Sequence, residues 1–195
     1  MKKSAYLFCA LAFVGLAMLT SCDLPADHSG QIASLDSLSI EVDEAEGRFN
    51  TINAFNTDQF LQGIEADLSL IQGNYEGEMG RDVAASLASY RSITKLVKNF
   101  SKRHKRVKAE ILRTKTQLLD LSQALSAGAT QDSQGNQFTV VYVNKVFVQE
   151  KKVAENLIVE IGDMIERLKQ AQERYDEIRP QVVPVIDSLQ IEIEE

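Results

Sequence analysis

The sequence predicts an all-α protein, an elongated antiparallel three-helix coiled-coil bundle behind an apolar N-terminal helix. Three observations carry that prediction. The composition is rich in Ala, Leu, Glu, Lys, Gln and Ser, with no Trp and only three prolines, and it favours helix. Apolar residues recur at alternating spacings of three and four, the rhythm of a coiled-coil seam. Two glycine-bearing turns divide the chain after residue 31 into three long stretches, which short connections must fold up, down and up.

The first stretch covers about residues 31–74. Its seam is Leu35, Leu38, Val42, Ala45, Phe49 and Ile52, and it resumes at Leu61, Ile64, Leu68, Ile71 and Tyr75. The nine-residue step from Ile52 to Leu61 fits neither a heptad nor an eleven-residue repeat, so a break is expected near 54–58, where Asn56, Thr57 and Asp58 offer a new cap. Gly73, Gly77 and Gly80 mark the first turn. A second helix is expected over 82–127. Its seam runs Val83, Leu87, Tyr90, Thr94, Val97, His104, Val107, Ile111, Thr114, Leu118, Leu121 and Leu125, with Phe100 and Ser101 sharing one position.

Residues 128–137 read as a polar loop. Phe138 to Val143 alternate like a strand, yet no second strand is available to pair with them. A helix from about 138, capped by Asn136, satisfies their backbone groups internally. Its seam passes through Val146, Glu150, Val153, Leu157, Ile161, Met164, Leu168, Ala171, Tyr175, Ile178 and Val182. Pro180 and Pro184 are expected to end or kink that helix near 179, leaving a short segment over 180–191.

Charge suggests a register. Residues 95–115 hold nine bases and one acid, whereas residues 23–82 hold 13 acids and two bases. Folding the chain back about residue 77 sets Arg113 and Lys115 beside Glu41 and Asp43, Lys108 beside Glu46, and Lys98 beside Asp58. Folding back the third helix sets Lys98 opposite Glu166 and Lys102 opposite Asp163. Such exposed pairs direct register more than they stabilise, at roughly 0.2–1 kcal/mol each.

The N-terminus carries the most specific signal. Lys2 and Lys3 precede an uncharged apolar run from Ala5 to Leu19, and Thr20, Ser21 and Cys22 follow. Basic, apolar, small is the order of an export signal, and the run is short for a membrane span, which needs about 20 apolar residues. The segment Leu19-Thr20-Ser21-Cys22 resembles the lipobox of bacterial lipoproteins, a resemblance limited to residues 1–22. It implies that residues 1–21 are removed as a signal peptide. It also implies that Cys22 becomes the diacylglyceryl- and N-acyl-modified N-terminus, with fatty acids such as palmitate. Residues 22–30 then form a lipidated tether to a domain over 31–195. Asp23 resembles an inner-membrane retention signal of enteric bacteria, one that other lineages do not read, so the choice between inner and outer membrane stays open.

This processing also bounds the chemistry. Cys9 leaves with the signal and Cys22 is acylated, which leaves neither a thiol nucleophile nor a cysteine metal ligand. Loss of Lys2 and Lys3 takes 21 bases to 19 against 28 acids, a net charge of −9, which disfavours nucleic acid as a partner.

The candidate sites are few. Lys102, Arg103, Lys105, Arg106 and Lys108 form a basic patch. Its first reading is intramolecular, a cationic helix between two acidic ones. Its second is a surface for an anionic envelope polymer such as lipopolysaccharide or cell-wall glycan. Ser92-Ile93-Thr94-Lys95 matches S-x-x-K but lacks the companion motifs of penicillin-recognising enzymes. Asp132 to Asn136 fails as a calcium loop, because Thr130 and Val141 occupy the positions that require Asp and Glu. Glu160, Asp163 and Glu166 read as a solvated, salt-bridged face. Thr94, His104, Thr114 and Glu150 are polar residues at seam positions.

No enzyme activity, cofactor or metal is expected. The expected role is that of a lipid-anchored cell-envelope protein, structural or protein-binding, with an unidentified envelope protein or polymer as partner. The alternative is a binding module for an apolar or anionic ligand.

Overall fold

A computed structural model describes residues 27–52, 54–76 and 78–194 of the chain. The expected signal segment, Cys22 and most of the expected tether lie outside the described residues. The protein is all-α, with helices α1 (Ser29–Phe49), α2 (Ala54–Asn74), α3 (Arg81–Val97), α4 (Phe100–Ser126) and α5 (Val140–Glu194). The only β-type pairing among the described residues is an isolated antiparallel bridge, Gln131 to Gln137. None of the described helices is long and apolar enough to cross a membrane.

The chain divides into two compact units. Of the described residues, the first holds those up to 44 and 110–158, and the second holds those within 45–109 and from 159 onward.

In the first unit, segments of α1, α4 and α5 share a core that includes Leu35, Leu38, Val42, Ile111, Leu118, Leu125 and Leu157. These residues belong to the three predicted seams, and their burial is the main stabilising term. Ser122 donates a 2.9 Å hydrogen bond to Asp36, and Lys115 Nζ lies 2.7 Å from Asp43. Seven residues forward on α1 are thus seven residues back on α4, an antiparallel pairing one heptad apart. Lys115 meets the Asp43 that the charge pattern assigns to it. Arg113 does not meet Glu41 or Asp43; it bonds Glu110 on its own helix at 2.9 Å, because a partner three residues away is always within reach.

The second unit is built from the end of α1, α2, α3, the start of α4 and the rest of α5. Its core includes Ile64, Leu68, Ile71, Tyr90, Ile93, Val97, Ala171, Val182 and Ile186. Tyr90 donates a 2.6 Å bond to Asp67, and Ser101 bonds Asp58, so α2 pairs antiparallel with α3 and the start of α4. Ser86 bonds Gln181, Tyr90 stacks at 5.9 Å on Tyr175, and Arg103 reaches Glu160, so α3 and α4 also run against α5.

Four boundaries depart from the sequence expectation. The break in the first stretch includes residues 50–52, and Asn56 to Asp58 lie inside α2. The amides of Thr51 and Ile52 tighten onto Arg48 and Phe49, and the Thr51 hydroxyl takes the Arg48 carbonyl at 2.7 Å. This side chain competes for the carbonyls that a continuing helix needs.

The expected helix over 82–127 is interrupted at Lys98 and Asn99. Asn99 has φ 58°, the left-handed region that asparagine tolerates better than most residues, and it ends α3. Apolar spacing hides the break, because Val97 and Phe100 are buried on either side of it.

The end of α4 falls where glycine permits it. Gly128 takes φ 66°, and the amides of Gly128 and Ala129 bond the carbonyls of Leu125 and Ala124 in a Schellman closure. The following helix starts at Val140, so Val140 to Val143 are helical. Its cap is not Asn136 but Thr139, whose Oγ1 accepts the Tyr142 amide at 3.2 Å. Asn136 is instead drawn to Asp132.

Helix α5 continues through Pro180 and Pro184 to Glu194 rather than ending near 179. The two prolines lie four residues apart and both are exposed. The carbonyls they leave without amide donors therefore share one solvent-facing side, where water satisfies them. Val182, Ile186 and Leu189 hold the other side in the core.

Candidate functional site

The five residues of the basic patch fall in the first turns of α4, within the second unit. They divide into two groups. Arg103 and Arg106 both engage Glu160 of α5, Arg103 at 3.4 Å. Lys102, Lys105 and Lys108 are exposed and make no ion pair among the described residues. Steps of three residues turn each successive lysine about 60° around the helix, so the three cover one broad side. The predicted meetings of Lys98 with Glu166 and of Lys102 with Asp163 are replaced by the two-arginine clamp on Glu160. A guanidinium fork reaches a carboxylate from more directions than an ammonium does.

The polar seam residues behave differently from one another. The Thr94 hydroxyl bonds back to the Arg91 carbonyl at 2.8 Å. His104 stacks on Phe49 with ring centroids 4.4 Å apart. Burial, aided by the charge of Lys108, lowers its pKa. In the first unit, Thr114 Oγ1 and Glu150 Oε2 are buried with no hydrogen-bond partner. Burial raises the Glu150 pKa, and the nearby charge of Glu110 raises it further.

The remaining motifs are accounted for locally. The Ser92 hydroxyl bonds the Ser89 carbonyl at 2.6 Å within its own helix, so it is not poised on Lys95. Asp132 closes a turn rather than a calcium site. Its carboxylate accepts from the amides of Gln134 and Asn136, the Asn136 side chain and the Tyr142 hydroxyl. Burial opposes the charge, but these bonds outweigh it and lower the pKa. Gly135 supplies the positive φ of 82° that the turn requires. Among the described residues, no group of three or more His, Cys, Asp or Glu side chains is placed to hold a metal ion.

Grooves open in both units. One, of about 440 Å³, lies in the second unit beside the α1–α2 break, between Ile52, Thr57 and Phe60 and the α5 residues Leu168 and Lys169. The other, of about 710 Å³, lies in the first unit, lined by Asp27, His28, Gly128, Thr130, Phe138 and Thr139. His28 Nδ1 is buried there without a hydrogen-bond partner. Sequence reasoning placed His28 in the tether and residues 128–137 in a bare loop; only the fold brings them to one groove. No protein-family model, no characterised protein and no solved structure matches this chain.

Proposed function

We propose that the protein is a lipid-anchored component of a bacterial cell envelope, held through acylated Cys22, with a structural or protein-binding role. The observation that carries this reading is the order of basic, apolar and small residues ending at Cys22. The helices in this reading form an elongated antiparallel three-helix coiled coil. Supporting it are the antiparallel pairs within each unit, Asp36 with Ser122 and Asp43 with Lys115 in one, Asp67 with Tyr90 in the other. Lys102, Lys105 and Lys108 supply an exposed cationic side for an acidic envelope protein or polymer.

Cys22→Ser tests the anchor. The variant is expected to leave the membrane fraction after a salt wash, whereas the native chain stays. Retention of the variant overturns the assignment. Crosslinking in intact cells then identifies the partner.

A second reading, a module that binds an apolar or anionic ligand, is favoured by the unpartnered Thr114 Oγ1 and Glu150 Oε2 in the first unit. Buried polar atoms normally find partners. Lipid or glycan fragments that raise the melting temperature favour this reading, and the absence of any shift removes it.

A further inference from the structure

We propose that the loop end of the first unit, built from Phe138, Val140 and Val141 beside the chain entry at Asp27, is a bilayer-contact surface. This rests on the lipid-anchor reading above, and adds which part of the fold meets the lipid and through which residues.

Chain entry is fixed by two hydrogen bonds. The Ser29 amide donates to Asp27 at 2.9 Å, and Gln31 Nε2 donates to Asn144 at 3.0 Å. The second ties the start of α1 to the start of α5. Asp27 and His28 also line one groove with Phe138 and Thr139. The tether therefore arrives beside the first turn of α5.

Only four residues lie between Cys22 and Asp27, and the five fully extended steps from one to the other span at most about 18 Å. A lipid on Cys22 consequently holds this end at the membrane surface. Here the fold exposes two adjacent branched apolar side chains, Val140 at 53% and Val141 at 79%, with Phe138 half-buried next to them. Water is a poor solvent for such a cluster, and the hydrocarbon edge of a bilayer is a good one.

The charges at this end favour apolar contact over attraction to anionic headgroups. Asp27 and Asp132 are carboxylates held charged by their hydrogen bonds, and the nearest base along α5 is Lys145. Contact is therefore expected on zwitterionic vesicles and needs no anionic lipid.

The test uses the full mature chain, purified with its lipid and reconstituted into phosphatidylcholine vesicles. With Cys9 removed and Cys22 acylated, a cysteine introduced by V141C or V140C is the only thiol for an environment-sensitive dye. L112C is the control, since Leu112 is 70% exposed and lies 14 residues, or about 21 Å of helix rise, from the loop end of α4.

The dye at 141 or 140 is expected to shift to the blue and to lose most of its emission when the acyl chains are brominated, and the dye at 112 is not. An aqueous signal at both 140 and 141 in vesicles that float with the protein overturns the contact surface while leaving the anchor intact. A protein that does not float, with unmodified Cys22 by mass spectrometry, overturns both. A blue shift that follows protein concentration without quenching by brominated lipid assigns the cluster to a second copy and overturns the proposal.

Discussion

Glu150 shows what a single residue does when periodicity and chemistry disagree. Heptad spacing places it on the α5 seam, and the fold buries part of its carboxyl with Oε2 unpartnered. Burial and the neighbouring Glu110 raise its pKa above the ordinary value of 4.5. A raised carboxyl favours the folded state below that ordinary value, and the contribution is lost as pH rises through the folded value. Glu150→Gln is therefore expected to stabilise the protein at pH 7, by up to about 1 kcal/mol because solvent still reaches the group. The gain should shrink as pH falls towards 4.5. Chemical denaturation at the two pH values measures it. A destabilised variant at pH 7 would show that the charge is being used.

At the scale of the element, helix ends rather than helix bodies separate this protein from a plain heptad pattern. Seam residues such as Leu118 and Ile161 are fully buried where spacing predicts. Ends depend on one or two groups, Thr51 at the end of α1, Asn99 between α3 and α4, Gly128 after α4 and Thr139 before α5. Asn99 gives the sharpest check. Asn99→Gly keeps the left-handed φ and is expected to change the denaturation midpoint little. Asn99→Val is expected to cost about 1–2 kcal/mol, because a β-branched residue clashes in that conformation. Equal midpoints for the two variants would mean that α3 and α4 straighten into one helix in solution.

For the whole molecule, charge separates folding from recognition. Arg103 and Arg106 are spent on Glu160, whereas Lys102, Lys105 and Lys108 are exposed. Replacing the three lysines with Gln is expected to change stability by no more than about 0.5 kcal/mol per site. The same triple variant should lower crosslinking to an anionic partner, and the native interaction should weaken with added salt. A triple variant that melts much earlier would return these lysines to an intramolecular role.

The sequence by itself determined the helical class, most of the core and the Lys115 to Asp43 pairing, because each depends on a period or a charge count spread over many residues. Val42, Ile111, Leu118, Leu157 and Ile161 were all legible from spacing, and all are buried. Three features were decided by tertiary structure alone. The α3–α4 break was invisible because Val97 and Phe100 keep the seam in phase across a single left-handed residue. The passage of α5 through Pro180 and Pro184 depends on both prolines facing solvent while Val182 and Ile186 are held in the core. The groove that joins His28 to Phe138 unites residues about 110 positions apart. Periodicity reports which face of a helix is buried; it carries no information about which distant loop comes to lie beside that helix's end, and only packing decides that.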